Sequence, residues 1–229
     1  MAVIKTTQRN IKMKFKAVIF DLDGTLLDTL EDLADSMNQV LTDLGFPTHT
    51  LSAYKYFVGE GVEALIRRAL PEDQLRPELL DQCLGTLREE YSRRWENKTR
   101  TYPGIPELLD HLTGLGLKMA ILSNKQDYFT RIMVASLLPR WRFDPVFGAR
   151  PSVPKKPDPA GALEIAEALQ IAPDCFIYLG DTGIDMKTAC AAGMIPVGVL
   201  WGFRPADELR AQGARWLIEK PRDLVPLLS

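Results

Sequence analysis

Short, mainly apolar runs that each stop at polar residues set the strongest limit on how this chain can fold. Ala17-Val18-Ile19-Phe20 ends at Asp21 and then Gly24. Leu117 to Leu122 ends at Ser123-Asn124-Lys125, and Cys175 to Leu179 ends at Gly180-Asp181. Ile195 to Leu200 and Arg215 to Ile218 are further strand candidates. A strand wetted on one face alternates polar and apolar residues, whereas a run apolar throughout belongs to a strand buried on both faces. Helical patterns separate the runs. Pro106-Glu107 opens one that Gly114 closes, and Pro159 opens another whose apolar side uses Leu163, Ile165 and Ala166 up to Leu169. A third spans Asp185 to Ala192. Strands alternating with helices predict an α/β fold, a parallel sheet covered on both faces.

The stretch from about Asp28 to Thr101 reads differently. Leu30, Leu33, Ala34, Met37, Val40, Leu41 and Leu44 mark one face of a helix that Gly45 ends. Leu80, Cys83, Leu84, Leu87, Tyr91 and Trp95 mark a second long helix, with shorter patterns near Leu51 to Phe57 and Val62 to Leu70. No strand signal appears there, so a helical domain is expected to be inserted after the first strand and loop. The 229 residues suit one domain carrying such an insert. The expected layout is a tail at 1–14, a core from 15–27 and 102–229, and the insert at 28–101. The first sixteen residues hold Lys5, Arg9, Lys12, Lys14 and Lys16 but no acid and no apolar stretch of a secretory signal. They read as a solvated tail, with a basic organelle leader or a start at Met13 as alternatives.

Composition narrows the function. Lys plus Arg number 28 against 30 Asp plus Glu, for a formal charge of −2, so the basic excess of a nucleic-acid binder is missing. No apolar run approaches the roughly 18 residues of a membrane span. Cys83, Cys175 and Cys190 form no CxxC pair, and their odd number fits reduced thiols in the cytoplasm. His49 and His111 are the only histidines, which disfavours a zinc site and a Ser-His-Asp hydrolase.

With the total charge nearly cancelled, the informative charges are those that interrupt the apolar pattern. In open α/β sheets, ligands bind beyond the carboxyl ends of the strands. Asp21 and Asp23, Ser123 and Asn124, and Asp181 and Asp185 stand at such ends, and Lys155-Lys156-Pro157 precedes a helix. Carboxylates gathered in one crevice repel and demand a cation. Oxygen donors without histidine point to Mg2+, and a serine and a lysine beside it suit a phosphate dianion. Asp21 can attack phosphorus to form an aspartyl-phosphate. Asp23 can protonate the leaving oxygen and then take a proton from water. Lys156 would offset charge on the transferring group, and Gly24 lets the loop turn close to the substrate.

On these residues the chain resembles the haloacid dehalogenase superfamily of phosphohydrolases. The motifs are Asp21-Leu22-Asp23-Gly24-Thr25-Leu26-Leu27-Asp28, Ser123-Asn124 with Lys125, Lys156-Pro157-Asp158-Pro159, and Gly180-Asp181-Thr182-Gly183-Ile184-Asp185. The resemblance implies a Rossmann-like three-layer core with an all-helical cap. It implies Asp21 as nucleophile and Asp23 as general acid and base. It also implies Mg2+ on the Asp21 carboxylate, the Asp23 carbonyl and Asp181, with Asp185 supporting the metal. Ser123 would bind phosphate, Asn124 orient it and Lys156 neutralise it. The implied partner is a small phosphorylated metabolite, with no nucleic acid or membrane, and the enzyme would be a monomer or homodimer. Tyr102-Pro103-Gly104-Ile105-Pro106, Trp201-Gly202-Phe203 and Ala191-Ala192-Gly193-Met194 extend the resemblance to members acting on 2-phosphoglycolate. A sugar phosphomutase, a broad sugar or nucleotide phosphatase, and a binding protein that kept the fold are the alternatives.

Several residues carry two readings. Asp185 can cap a helix, serve the metal, or do both. Lys125 is a substrate contact or a surface lysine, and Lys155 is the solvated neighbour of Lys156. Gly59-Glu60-Gly61 is a loop entering the site or an interhelical turn. Trp201 and Phe203 are expected to pack at a strand end, and Arg67-Arg68 and Arg93-Arg94 to lie on solvated helix faces.

Overall fold

The computed structural model describes residues 14–228. The expected tail, and the alternative start at Met13, lie outside them apart from residue 14. In chain order come β1 (Ala17–Phe20), β2 (Leu27–Asp28), α1 (Leu30–Asp43), α2 (Leu51–Phe57), α3 (Val62–Ala69) and α4 (Pro77–Arg94). Then follow β3 (Arg100–Thr101), α5 (Ile105–Gly114), β4 (Lys118–Gln126), α6 (Asp127–Leu137), β5 (Val146–Ala149), α7 (Ala160–Leu169) and β6 (Phe176–Gly180). Next are α8 (Gly183–Ala191), β7 (Ile195–Val199), α9 (Ala206–Ala211) and β8 (Trp216–Ile218), and a short 3-10 helix, Pro221–Leu227, follows.

Six strands form one parallel sheet in the order β5-β4-β1-β6-β7-β8. From β1 the chain builds outward first through β4 and β5, then through β6, β7 and β8 on the other side. The carboxyl ends of β1, β4 and β6 therefore meet at the point where the winding reverses, the usual ligand crevice of such sheets. The unbroken run of β1 has a direct cause. Val18 and Phe20 pack with Ile105, Leu109 and Met133 on one face, while Ala17 and Ile19 pack with Ala162, Ile165 and Ala189 on the other. Both faces are covered, so neither half of the period-two alternation can be polar.

Four differences from the sequence reading have local causes. Leu163 is exposed, and α7 buries Ala162, Ile165 and Ala166 instead. β4 runs on through the polar motif to Gln126, with its pairing to β5 shifted between Leu122 and Gln126. β5, α6 and α9 escaped the reading; β5 is a half-buried edge strand containing Gly148, too short and mixed to show a period. β2 and β3 stand at the two ends of the stretch that shows no strand signal, and two residues each carry no periodicity.

β2 and β3 pair antiparallel, Leu27 with Thr101 and Asp28 with Arg100, so the chain leaves and returns to the sheet at one place. The four helices between them share an apolar cluster that includes Met37, Leu41, Tyr54, Ile66, Cys83 and Leu87. Phe203, from the loop after β7, is buried in this same cluster. Asp32 ties the start of α1 to the returning chain. It is buried and accepts hydrogen bonds from the Lys98 and Thr99 backbone N–H groups and from the Thr99 hydroxyl, at 2.8–3.1 Å. Asp32→Ala is expected to cost about 2–4 kcal/mol, because it strands these donors in a buried place. Urea denaturation checks this, and a loss under about 0.5 kcal/mol, the ordinary surface range, would refute it. Among the described residues, no helix is long and apolar enough to cross a membrane.

Candidate active site

The strand ends deliver their polar residues to one crevice. Asp21, Asp181 and Asp185 are buried, and each offers a carboxylate oxygen within 4.8 Å of the others. Lys156 Nζ lies among them, 3.0 Å from Asp21 Oδ1 and 2.7 Å from Asp185 Oδ1. Ser123 and Asn124 are buried on β4 beside this group.

Each carboxylate is held by its own local structure. The Leu22 N–H donates to Asp21 Oδ1 at 2.7 Å. The Thr25 hydroxyl donates to Asp181 Oδ1 at 3.1 Å, and the Phe203 N–H to Oδ2 at 2.8 Å. Asp185 caps the helix, as one of its two readings expects, and its second oxygen meets a lysine. Its Oδ2 accepts from the Thr182 hydroxyl and N–H, closing the capping box of α8, while its Oδ1 faces Lys156. Gly24, at φ +82°, makes a close approach possible, but to Asp181 rather than to open space. A Cβ there would stand 2.3 Å from Asp181 Oδ2, and one on Gly202 would stand 2.2 Å from the Asp181 Cβ.

The electrostatics follow from burial. Burial raises the Asp21 carboxyl to about 7, opposed by Lys156 and reinforced by Asp185 and Asp23. Burial also puts Asp181 well above the usual carboxylate range, with Asp185 and Asp21 adding repulsion against the Phe203 and Thr25 hydrogen bonds. Burial works against the Lys156 ammonium, yet Asp185 and Asp21 hold it well above its ordinary value. Three grouped carboxylates and one lysine, which meets Asp21 and Asp185, leave a formal excess of two negative charges in a buried space. Oxygen donors only, closely grouped and short by two positive charges, fit a divalent cation of the Mg2+ kind.

The Asp23 carboxylate is not in this group. Both of its oxygens lie 3.1 Å from Lys125 Nζ, so only its backbone carbonyl remains for the metal role that the resemblance implies. Lys125 is therefore not a surface lysine: it lines the cavity while paired with Asp23. Its side chain is buried and sits 4.6 Å above the Tyr91 ring, and the Asp23 and Tyr91 charges outweigh burial to raise its pKa. Asn124 lines the cavity too and is tied into the site. Its amide donates to the Lys156 and Gly59 carbonyls and its oxygen accepts from the Lys156 N–H, so it braces the lysine's loop. Gly59-Glu60-Gly61 does enter the site, because Gly59 and Gly61 line its cavity. Lys155 is exposed and lies 4.0 Å from Glu63. Sequence reasoning passed over Arg88, on the cavity wall, and Thr25, although Thr25 stands inside the first motif.

The cavity beside Asp21 and Asp23 has a volume of about 70 Å³. The sheet side supplies Ser123, Asn124, Lys125 and Phe129, and the four-helix segment supplies Leu33, Val62 and Leu65 among others. This is small beside the roughly 300–1,000 Å³ of drug-sized sites.

Comparison with known proteins shows the family. A family model described as haloacid dehalogenase-like hydrolase matches residues 18–199. The chain is 30% identical over 214 residues to a protein of Aquifex aeolicus (strain VF5) named phosphoglycolate phosphatase, spanning 93% of this chain and 97% of that one. It is 32% identical over 215 residues to a protein of the same name from Pseudomonas putida KT2440, spanning 92% and 79% of the two chains. A crystal structure from Lactobacillus delbrueckii subsp. bulgaricus superposes with a TM-score of 0.87 at 29% identity, covering 94% of this chain and 99% of its own. The match takes in β1, β4, β6 and all of the crevice-forming motifs between Asp21 and Asp185, and on that ground the chain belongs to the haloacid dehalogenase-like hydrolases.

Proposed function

We propose that this protein is a Mg2+-dependent phosphatase that hydrolyses a small phosphate monoester, 2-phosphoglycolate, to glycolate and phosphate. The observation that carries the reading is the buried Asp21–Asp181–Asp185 group with Lys156 inside it, next to a second, separately held carboxylate at Asp23. Two aspartates one residue apart in such different surroundings are suited to two different tasks. The names of the relatives point to the substrate, and the small cavity favours a small metabolite over a nucleotide.

In this reading the Asp21 carboxylate attacks phosphorus, the ester P–O bond breaks, and Asp23 gives its proton to the leaving oxygen. Water then attacks the aspartyl-phosphate, Asp23 takes the water's proton, and phosphate leaves with the Asp21 carboxylate restored. Lys125 keeps the Asp23 carboxyl turned toward the cavity. Lys156, braced by Asn124, offsets charge on the phosphoryl oxygens, and the Ser123 hydroxyl donates to one of them. Asp21, Asp181, Asp185 and the Asp23 carbonyl would hold Mg2+, which supplies Lewis-acid neutralisation of the phosphoryl group. Residues 28–101 act as a cap over the core of residues 15–27 and 102–229, excluding water from the first step.

The test is phosphate release with Mg2+ across a panel of monoesters, with 2-phosphoglycolate expected to give the highest kcat/KM. Equal rates across sugar and nucleotide phosphates would replace this substrate with a broad specificity. Isomerisation of a sugar phosphate with little release would mean a mutase.

A further inference from the structure

Arg88 is the charged side chain that the four-helix segment places on the cavity wall. It lies on α4 between Leu87 and Tyr91, which also line the cavity. The other two arginines of α4 are engaged: Arg93 and Arg94 both pair with Glu90, at 2.9 and 3.0 Å. Arg88 has no ion pair and no side-chain hydrogen bond among the described residues. The second cation on the wall, Lys125, is already committed to Asp23. Around Arg88 the wall is apolar, with Leu33, Val62 and Leu65 facing the same space. Sugar hydroxyls turned toward such a wall would lose their water without gaining partners. A carboxylate turned toward a free guanidinium would gain two parallel hydrogen bonds and a charge partner.

We propose that Arg88 is the specificity-determining residue of the site, selecting small phosphate monoesters that carry a second anionic group, a carboxylate, away from the phosphate. The proposal rests on the phosphatase reading above and names the side chain that enforces its substrate class. Asp21, Ser123 and Lys156 deal with the phosphate end, and Arg88 deals with the other.

The experiment compares three esters of similar size, 2-phosphoglycolate, ethyl phosphate and O-phosphoethanolamine, in the native protein, Arg88→Met and Arg88→Glu. Arg88 is exposed, so neither substitution disturbs the core. The native protein is expected to prefer the carboxylate ester. In Arg88→Met, the ratio of kcat/KM for 2-phosphoglycolate over ethyl phosphate is expected to fall roughly 10- to 100-fold, mainly through KM. In Arg88→Glu the ammonium ester is expected to overtake the carboxylate ester. A uniform loss on all three esters, or an unchanged ratio in both variants, would overturn the proposal. Equal native rates on all three esters would overturn it too while leaving the phosphatase reading intact. Native release from none of them would remove both.

Discussion

Asp21→Asn is expected to lower phosphate release by about 10⁴-fold or more, the scale seen when one member of a concerted catalytic unit is removed. The amide has nearly the size of the carboxylate and can still accept from the Leu22 N–H and Lys156, the two donors that hold Asp21. What it lacks is the nucleophilic oxygen. Stability should move little, or upward in metal-free buffer. Burial already disfavours the Asp21 charge, which Asp185 and Asp23 repel further, so a neutral isostere relieves that penalty. Single-turnover assays and a thermal melt separate the two effects. Full activity in the variant would sink the covalent mechanism. Equal collapse of activity and melting temperature would mean that Asp21 serves the fold rather than the chemistry.

Withdrawing the divalent cation is expected to have the second large effect. Dialysis against EDTA should bring release to background, and Mg2+ should restore it. Undiminished turnover in metal-free buffer would refute the assignment. A second readout does not depend on turnover. A cation that binds only the folded chain stabilises it by mass action, so the melting temperature should rise with Mg2+ concentration. The direction with pH follows from the carboxyls. Burial raises Asp21 to about 7, so at pH 5 it holds a proton that a metal must displace, and burial shifts Asp181 in the same direction. At pH 8 the Asp21 proton is gone and the folded apo chain carries its uncompensated charge. The gain from Mg2+ should therefore be larger at pH 8 than at pH 5, and the reverse order would contradict this account of the site.

Much of the fold was legible because it rests on burial by both faces of a sheet. Ala17 to Phe20 could be read as an interior strand, since only a doubly covered strand tolerates apolar residues at every position. The long helices α1 and α4 showed through their spacing and through Gly45 after the first. The two-residue strands β2 and β3 did not show, because a pairing that short is stabilised by the partner rather than by pattern. Leu163 misled for a related reason. An apolar residue reports a preference for burial, and in α7 it is the small residues Ala162 and Ala166, with Ile165, that are buried against the sheet.

The candidate site divides in the same way. That Asp21, Ser123 and Asp181 converge needed no coordinates, since parallel strands all end on one side and polar residues at those ends must share it. That Mg2+ suits them needed only the donor atoms. Which lysine serves which aspartate was different. Lys156 joins Asp21 and Asp185 while Lys125 joins Asp23, and the Lys125 partner lies 102 residues away in the chain. Asp185 turned out to cap α8 and to face Lys156 with its two separate oxygens, and Phe203 to link Asp181 to the apolar cluster of the four helices. Periodicity records which residues seek burial and where a strand stops, because those are local properties of the chain. The direction of a side chain, and the charge it meets, depend on elements packed from distant parts of the chain, and only the tertiary structure brings those together.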